Sequence, residues 1–555
     1  MTAHRVRRDW YPLIAGVLAV VVAEFVLILW TTSGHFTYTL DDPYIHLALA
    51  ENLARFGHYG LNLEDYSSPS SSILWPLLLV PFLTLGAGLY APLIVNTPCA
   101  IATVLVIHQL IVECAASDAK HGTKVPCVWA LLIFFAANGF GLIFTGMEHS
   151  LQVLVTVSVL YLLIRMQLAT DSGKELPSYN HYLLVLFVVL SPLVRFEGLA
   201  ISAFAIAMLI RFRKPRLAIF SAGLIALSLV SYFHAMLALG LPWLPSSVLV
   251  KSAAAADVIA QTSITGKIAG AAARAASNVI GNLESAEARL LLVIGLLIAA
   301  LSLRTWRRGE RMRLTFAAGV VAVIGLHLAF GRFGWYGRYQ AYVFVFAVCA
   351  IPCVFPGLLF GTTVKREGRM LFGVLAALTV TLLGLPQHLV PIITTPIAAA
   401  NIYQQQRQMH EFVARYWKSP IAATDIGYVS FENDHYVLDL WGLGSEEARQ
   451  LNQSGRRNVL PALAARHDVH LVMIADRLIS DVLPAEWQKI AVLELASRRI
   501  TAADAAVSFY VVGLDQAECS HVAEQLAEFK RTLAFPETLT VNAGNCDRSE
   551  ITSGF

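Results

Sequence analysis

Long apolar runs separated by short polar or basic connections fill residues 11–388. They lie at about 11–30, 91–112, 126–145, 149–167, 181–194, 197–211, 217–239, 286–304, 314–331, 341–362 and 369–388. The longer ones have roughly the 20 residues that a helix needs to cross a bilayer. The pattern therefore predicts a polytopic α-helical bundle of about eleven spans. One more run, "ILWPLLLVPFLTLGAGLY" at 73–90, contains Pro76, Pro81 and two late glycines, all of which weaken a continuous helix. From about 389 the pattern changes. A helical stretch, "NIYQQQRQMHEFVARYW", leads into short strand-like runs ("PIAATDIGYVSF", "HYVLDLWGL", "VHLVMIA", "VSFYVVGL"). With helical stretches such as "AECSHVAEQLAEFKRTL", these predict a small α/β domain over 389–555.

Charge settles how the spans are threaded. If 73–90 does not cross, the clusters Lys120/Lys124, Arg165/Lys174, Arg211/Arg213/Lys214/Arg216, Arg304/Arg307/Arg308/Arg311/Arg313 and Lys365/Arg366/Arg369 share one side with Arg5, Arg7 and Arg8. If it does cross, every later cluster lands outside. The positive-inside rule selects the first arrangement, with the N-terminus in the cytoplasm as a retained signal anchor. The segment 73–90 is then a re-entrant or interfacial element on the outer side. The connections 31–90, 145–150, 194–198, 240–285 and 331–340, and the whole tail, face outward. This organisation divides the chain into a membrane domain, 1–388, carrying outer-loop helices at 41–56 and 73–90, and an extracytoplasmic domain, 389–555.

Composition agrees: 56% of the 555 residues are hydrophobic and 14% charged, where a soluble domain has about 25% charged. The net charge of +3 carries little information, and the basic residues sit in short clusters, not along a helix face, so nucleic acid is not a partner. Of seven cysteines, only Cys519 and Cys546 belong to the tail. They form either one disulfide in an oxidising compartment or two unrelated thiols. No Cys/His spacing fits zinc.

The unusual polar residues gather on the outer face. In "TLDDPYIHLALAENLARFG", Asp42–Pro43 reads as a helix start, Asp as N-cap and Pro at the first position, for a helix lying along the membrane surface. That explains Asp42 structurally and leaves Asp41 as the better catalytic carboxylate, its pKa raised by Asp42 and by partial burial. "TGMEHS" places Glu148 and His149 at a helix start, and "VRFEG" places Arg195 and Glu197 between two short spans, either as a substrate site or as an intramembrane ion pair. Lys251 ends the Pro-rich loop "LPWLPSSVLVK" as an anion ligand or a solvated side chain. "GRFGWYGRYQAY" sets Arg332, Trp335, Tyr336, Arg338 and Tyr339 at a membrane boundary. An aromatic belt accounts for the rings, but two arginines outside, against the charge bias, call for an anion such as a lipid phosphate. A proton-accepting carboxylate, cations for a phosphate and a lipid-accessible flank are what a transferase needs when its sugar arrives on a lipid phosphate.

Taken in order, "DDPYIHLALAENLARFG", "YSSPSSSILWPLLL", "TGMEHSLQ", "RFEGLA", "LPSSVLVK" and "WYGRYQAY" resemble the motifs of the GT-C superfamily of polyprenyl-phosphate-sugar glycosyltransferases. Within it they are similar to the cell-envelope terminal arabinofuranosyltransferases, whose outer domain "ATDIGYVSFENDHYVLDLWGL" also resembles. Pro43, Phe196 and Ser246–Ser247 depart from that pattern. The resemblance implies a GT-C fold in a bacterial inner membrane and an inverting enzyme that moves arabinofuranose from a polyprenyl-phosphate donor to an envelope glycan or glycoprotein. It further implies Asp41 as catalytic base, membrane lipids as surroundings, and 73–90 as a juxtamembrane helix. Superfamily members differ in their use of a divalent metal, so none is assigned. Competing readings are transfer of another lipid-linked sugar to lipid A or protein, a lipid-linked-sugar transporter, and an envelope scaffold. The chain shows no internal repeat of the kind many transporters have.

Overall fold

The computed structural model describes residues 3–115, 124–251, 264–307, 310–355, 390–453, 460–479 and 483–546. Its first part is a helical bundle: α1 (Ala3–Thr31), α2 (Asp42–Phe56), α3 (Trp75–Thr84), α4 (Ala91–Ala115), α5 (Lys124–Ala136), α6 (Gly139–Phe144), α7 (His149–Asp171), α8 (Ser178–Val194), α9 (Gly198–Arg211) and α10 (Pro215–Ala238). Helices Ile264–Asn282, Ala286–Arg307, Arg311–Phe330 and Ala341–Val354 complete it. Among the described residues, six helices are long and apolar enough to cross a membrane: Trp10–Thr31, Gly88–Cys114, His149–Asp171, Pro215–Ala238, Ala286–Leu303 and Arg311–Phe330. Five apolar helices, α3 and the segments Pro126–Ala136, Ser178–Val194, Gly198–Arg211 and Ala341–Pro352, are shorter. The expected span 369–388 and residues 356–362 of the run 341–362 lie outside the described residues.

Two local breaks depart from the run pattern. The run 126–145 is two helices, because Asn138 takes a left-handed backbone (φ 58°) and its amide donates to the carbonyl of Tyr336 at 2.7 Å. The 73–90 run forms only the ten-residue α3, about 15 Å long against a hydrocarbon core of about 30 Å. Beyond it, Gly86 (φ 81°) turns the chain toward α4.

Helix α2 has the expected Asp42–Pro43 start, and Gly57 ends it in the left-handed conformation (φ 65°) that glycine adopts without a Cβ penalty. It does not lie open on a membrane surface. Pro43 to Ala50 are buried on every side, because the bundle closes one flank and the short helix Gly427–Ser430 of the tail covers the other.

The tail is the predicted α/β domain, built on a six-stranded mixed sheet. Its strands are β1 (Ile421–Ala423), β2 (Val437–Asp439), β3 (Leu471–Ile474), β4 (Gln488–Glu494), β5 (Ala506–Val511) and β6 (Leu539–Val541), in the order β2-β1-β3-β5-β4-β6. β1 pairs in parallel with β2 and β3, Ile421 lying opposite Val437 and Leu471, and the remaining pairs are antiparallel. Strands β4 and β6 were not signalled by the sequence pattern. Alternate residues serve two cores. Ile421, Ala423, Leu471, Met473 and Phe509 join a core continuous with the bundle, while Ala422, Leu438, Val472, Ile474 and Tyr510 pack under Leu460, Leu463 and Trp487. Cys519 and Cys546 form a buried disulfide, as their number and placement allowed.

Candidate active site

The site begins with an unusual loop. Gly334, Trp335, Tyr336 and Gly337 all have left-handed backbones (φ 80°, 45°, 67° and 69°), a conformation that costs a non-glycine residue roughly 1–2 kcal/mol. Fixed partners hold it. The Tyr336 hydroxyl lies 2.6 Å from the carbonyl of Pro391 and 2.8 Å from Thr395 Oγ1, and the Tyr336 carbonyl accepts from Asn138. Tyr336 is therefore a strut for the loop, whereas Trp335 and Arg332 project from it into solvent or lipid. The turn delivers Arg338 into the interior, where only 2% of its side chain is exposed.

Arg338 donates from Nη2 to Asp42 Oδ2 at 2.5 Å and to the Tyr339 hydroxyl at 3.0 Å. Its Nε and Nη1 are buried without a hydrogen-bond partner. Burial works against its charge, but Tyr339 and Asp42 more than offset that and hold it protonated. The Tyr339 ring lies between two guanidinium groups, 4.9 Å from Arg338 and 5.6 Å from Arg195, and meets the His149 ring edge-on at 6.0 Å.

Arg195 is already engaged. Its Nη1 donates to Glu148 Oε1 at 2.6 Å and to Ser71 Oγ at 3.3 Å, and its Nε and Nη2 grip Glu197 at 3.2 and 3.0 Å. Burial would raise the Glu197 pKa, yet Arg195 outweighs it and the net shift is downward. Glu148 is fully buried, receives Ser71 Oγ at 3.2 Å and lies 3.9 Å from His46 Nε2. The ion pair of "VRFEG" is present in the structure. Lys251 ends the helix Ser246–Lys251, and its side chain lies outside the described residues.

The carboxylates of α2 point to different partners. Asp42 faces Arg338. Asp41 faces the tail, accepting from the backbone N–H of Gly427 at 2.6 Å and of Tyr428 at 2.8 Å. Tyr44 stacks near Tyr428, 4.2 Å between ring centroids, and the contact is so close that a Cβ on Gly427 would lie 2.0 Å from the Asp41 carbonyl oxygen. Asn62 adds a second clasp, accepting from Val437 N at 2.8 Å and donating to Val437 O at 3.1 Å. Asp41 is pushed up to about 8, first by burial and then by Asp425, with Asp42 contributing least. The expected direction holds, but its main electrostatic source is a tail residue that the sequence did not single out. Asp425, held by Gln406 Nε2 at 3.0 Å, rises to about 6 for the same principal reason, burial, with Asp42 and Asp439 adding to it.

His46, Ser71, Gln406 and Asp425 are thus parts of the site that local sequence did not mark. An aspartate following a strand, as in "AATDIG", was the available sign for Asp425, but nothing local distinguishes it from a turn residue. The site's charge balance is acidic. Asp41, Asp42, Asp425, Glu148 and Glu197 stand against Arg195 and Arg338, and at neutral pH protonation of Asp41 leaves four against two. Among the described residues, no group of three His, Cys, Asp or Glu side chains is arranged to hold a metal ion.

A protein family described as "Domain of unknown function (DUF8728)" matches residues 400–510, the part of the tail that carries Asp425. No curated protein matches the chain. Among solved structures it is similar to the archaeal oligosaccharyltransferase AglB from Archaeoglobus fulgidus in complex with an inhibitory peptide and a dolichol-phosphate. That likeness has 13% identity and a TM-score of 0.46 and covers 88% of this chain and 74% of that one. The Archaeoglobus fulgidus oligosaccharyltransferase complex with Zn and sulfate matches at 12% identity and TM-score 0.49, over 90% of this chain and 73% of that one.

Proposed function

We propose that this protein is a membrane glycosyltransferase of the GT-C kind, moving a sugar from a polyprenyl-phosphate donor to an acceptor hydroxyl of an envelope glycan or to a protein. The observation that carries this reading is Arg338. A guanidinium buried at a membrane boundary with two unpartnered nitrogens is costly unless an anion completes its set. The phosphate of a lipid-linked sugar supplies oxygens of the right charge, and its lipid supplies the reason for a site at that boundary.

In this reading Asp42 orients Arg338, and Tyr339 stacks between Arg338 and Arg195 to keep the guanidinium plane fixed. Arg338 stabilises the negative charge that grows on the departing lipid phosphate. Asp41 accepts the proton of the attacking hydroxyl. Each of its oxygens already takes one N–H and retains a second lone pair, and the ionised fraction of a carboxyl lifted to about 8, roughly a tenth at pH 7, is a stronger base than an ordinary aspartate. Attack of the acceptor oxygen on the anomeric carbon opposite the phosphate breaks the sugar–phosphate bond and inverts that carbon. Arabinofuranose, the sugar implied by the sequence motifs, is the first donor to assay, followed by hexoses and aminosugars.

The test is single-turnover transfer from synthetic lipid-phosphate sugars by the purified full chain, with and without Asp41→Asn. Loss of transfer in the variant, with donor still bound, supports the mechanism. Full transfer by the variant rules out the base. Donor passage across vesicles without transfer by the native protein would instead make it a transporter.

A further inference from the structure

The basic cluster in the turn from α9 to α10 has a cleft of its own. Arg213 and Lys214 from that turn and Arg216 from the start of α10 face Ser178, His181 and Tyr182 of α8 across an open cavity of about 560 Å³. The cleft is not part of the candidate active site. Arg195 lies at the other end of α8, whose 17 residues make a helix of about 25 Å. By the charge bias of the loops this end is cytoplasmic.

Two features separate this cluster from the general excess of inner-side positive charge. Two other inner cations are neutralised: Arg165 pairs with Glu113 at 3.4 Å and Arg313 with Glu310 at 2.9 Å. Among the described residues, no carboxylate lies within ion-pair distance of Arg213, Lys214 or Arg216. The second feature is backbone conformation. Arg213 occupies the left-handed position that ends α9 (φ 57°), with its N–H on the carbonyl of Ile210 and that of Lys214 on Leu209. Glycine is the residue favoured there. An arginine gives up that conformational advantage and adds a third uncompensated charge to the cleft.

We infer that this cleft binds the phosphate of an anionic lipid headgroup from the cytoplasmic leaflet. Three cations together offer a phosphate more than any one exposed lysine could, and His181 and Ser178 add hydrogen-bonding groups to the wall. Its surroundings favour a lipid over a soluble phosphate. Tyr182 and Leu217 line it, and Tyr182 and, two and three residues beyond Leu217 on α10, Ile219 and Phe220 are all more than half exposed, an apolar flank along which acyl chains can run. The cleft also has room for a glycerol as well as a phosphate.

The experiment is native mass spectrometry of the purified full chain, titrated with phosphatidylglycerol or zwitterionic phosphatidylcholine. Lys214→Gln/Arg216→Gln is compared with a charge-matched control, Arg311→Gln/Arg313→Gln. The native chain and the control should retain one phosphatidylglycerol that the cleft variant binds roughly 25-fold more weakly, at about fivefold per basic residue. Phosphatidylcholine should show no such difference. Arg213→Gly removes a charge while suiting the backbone, so it should also lose lipid without loss of thermal stability. It keeps the inference testable should the double variant fail to fold. Equal lipid retention in cleft and control variants overturns the inference. Displacement of the lipid by millimolar inorganic phosphate assigns the cleft to a soluble phosphate and overturns the lipid.

Discussion

Asp41→Asn tests two roles at once, because Asp41 both joins the tail to the membrane domain and is the proposed proton acceptor. Its two oxygens receive N–H groups from Gly427 at 2.6 Å and Tyr428 at 2.8 Å. An asparagine has one oxygen and one NH₂, so one of those N–H donors must face another donor. A protonated aspartate escapes this conflict, since its hydroxyl oxygen still has a lone pair. Losing the bond and leaving a buried N–H unpaired costs about 1–3 kcal/mol. Relief of repulsion with Asp425 offsets little of this. At pH 7 a group lifted to about 8 is roughly nine-tenths protonated and already nearly neutral. Taking about 2 kcal/mol as the net cost, the interface should open roughly 30 times more often. Hydrogen exchange read by mass spectrometry over 425–431 should then show Gly427 and Tyr428 exchanging about 30-fold faster, and single-turnover transfer should fall by roughly 10²–10⁴-fold. Gly427→Ala separates the roles. Its Cβ would sit 2.0 Å from the Asp41 carbonyl oxygen and 2.7 Å from Asp41 Oδ2, so it should open the same interface and shift the carboxylate without removing it, with a smaller loss of transfer than Asp41→Asn. Unchanged protection at 427–428 in Asp41→Asn refutes the structural role, and undiminished transfer refutes the catalytic one.

Arg338→Gln should weaken binding of a polyprenyl-phosphate analogue at least tenfold, the loss of one charge-assisted contact of about 1.5–3 kcal/mol, and unchanged affinity in a folded variant would remove Arg338 from the site. Asp42→Asn should preserve the Pro43 helix start yet leave Arg338 without its counter-ion. The cost should fall below the roughly 3–5 kcal/mol of a fully buried pair because Asp42 keeps 24% of its side chain exposed, and thermal unfolding in detergent measures it. Donor affinity should fall as pH rises from about 6 to 8, because Asp425 and then Asp41 acquire negative charge beside the phosphate, and a titration flat across that range would refute the electrostatic account. The same upward shifts mean the folded state holds protons that the unfolded chain has released, so their contribution to stability declines from about pH 4 to pH 8. Replacing Cys519 and Cys546 by serine should cost about 3–4 kcal/mol in the chain-entropy picture for residues 27 apart, read as a lower unfolding temperature of the tail that reduction of the native protein reproduces.

The sequence by itself determined what depends on local periodicity and on solvent. Apolar runs of bilayer length demand backbone-satisfied helices, Asp42–Pro43 and Gly57 mark the ends of α2, and the change to short alternating runs after 389 announces a sheet. It also placed the polar residues of the outer loops in one region, because charges avoid the membrane interior wherever they have no partner there. Which partner each one takes was decided only by the tertiary structure. Arg195 and Arg338 look alike as arginines between apolar runs, yet Arg195 is bound by Glu148 and Glu197 while Arg338 has two nitrogens unpartnered. Asp41 and Asp42 are neighbours whose side chains diverge, one to Arg338 some 296 positions away and the other to the N–H groups of Gly427 and Tyr428, 386 and 387 away. Nothing local in "DDPY" encodes that divergence, nor the buried Asp425 that raises Asp41. A helix start is fixed by its own few residues, but a pKa and the unpartnered nitrogens of a guanidinium are set by whatever the rest of the chain folds against them.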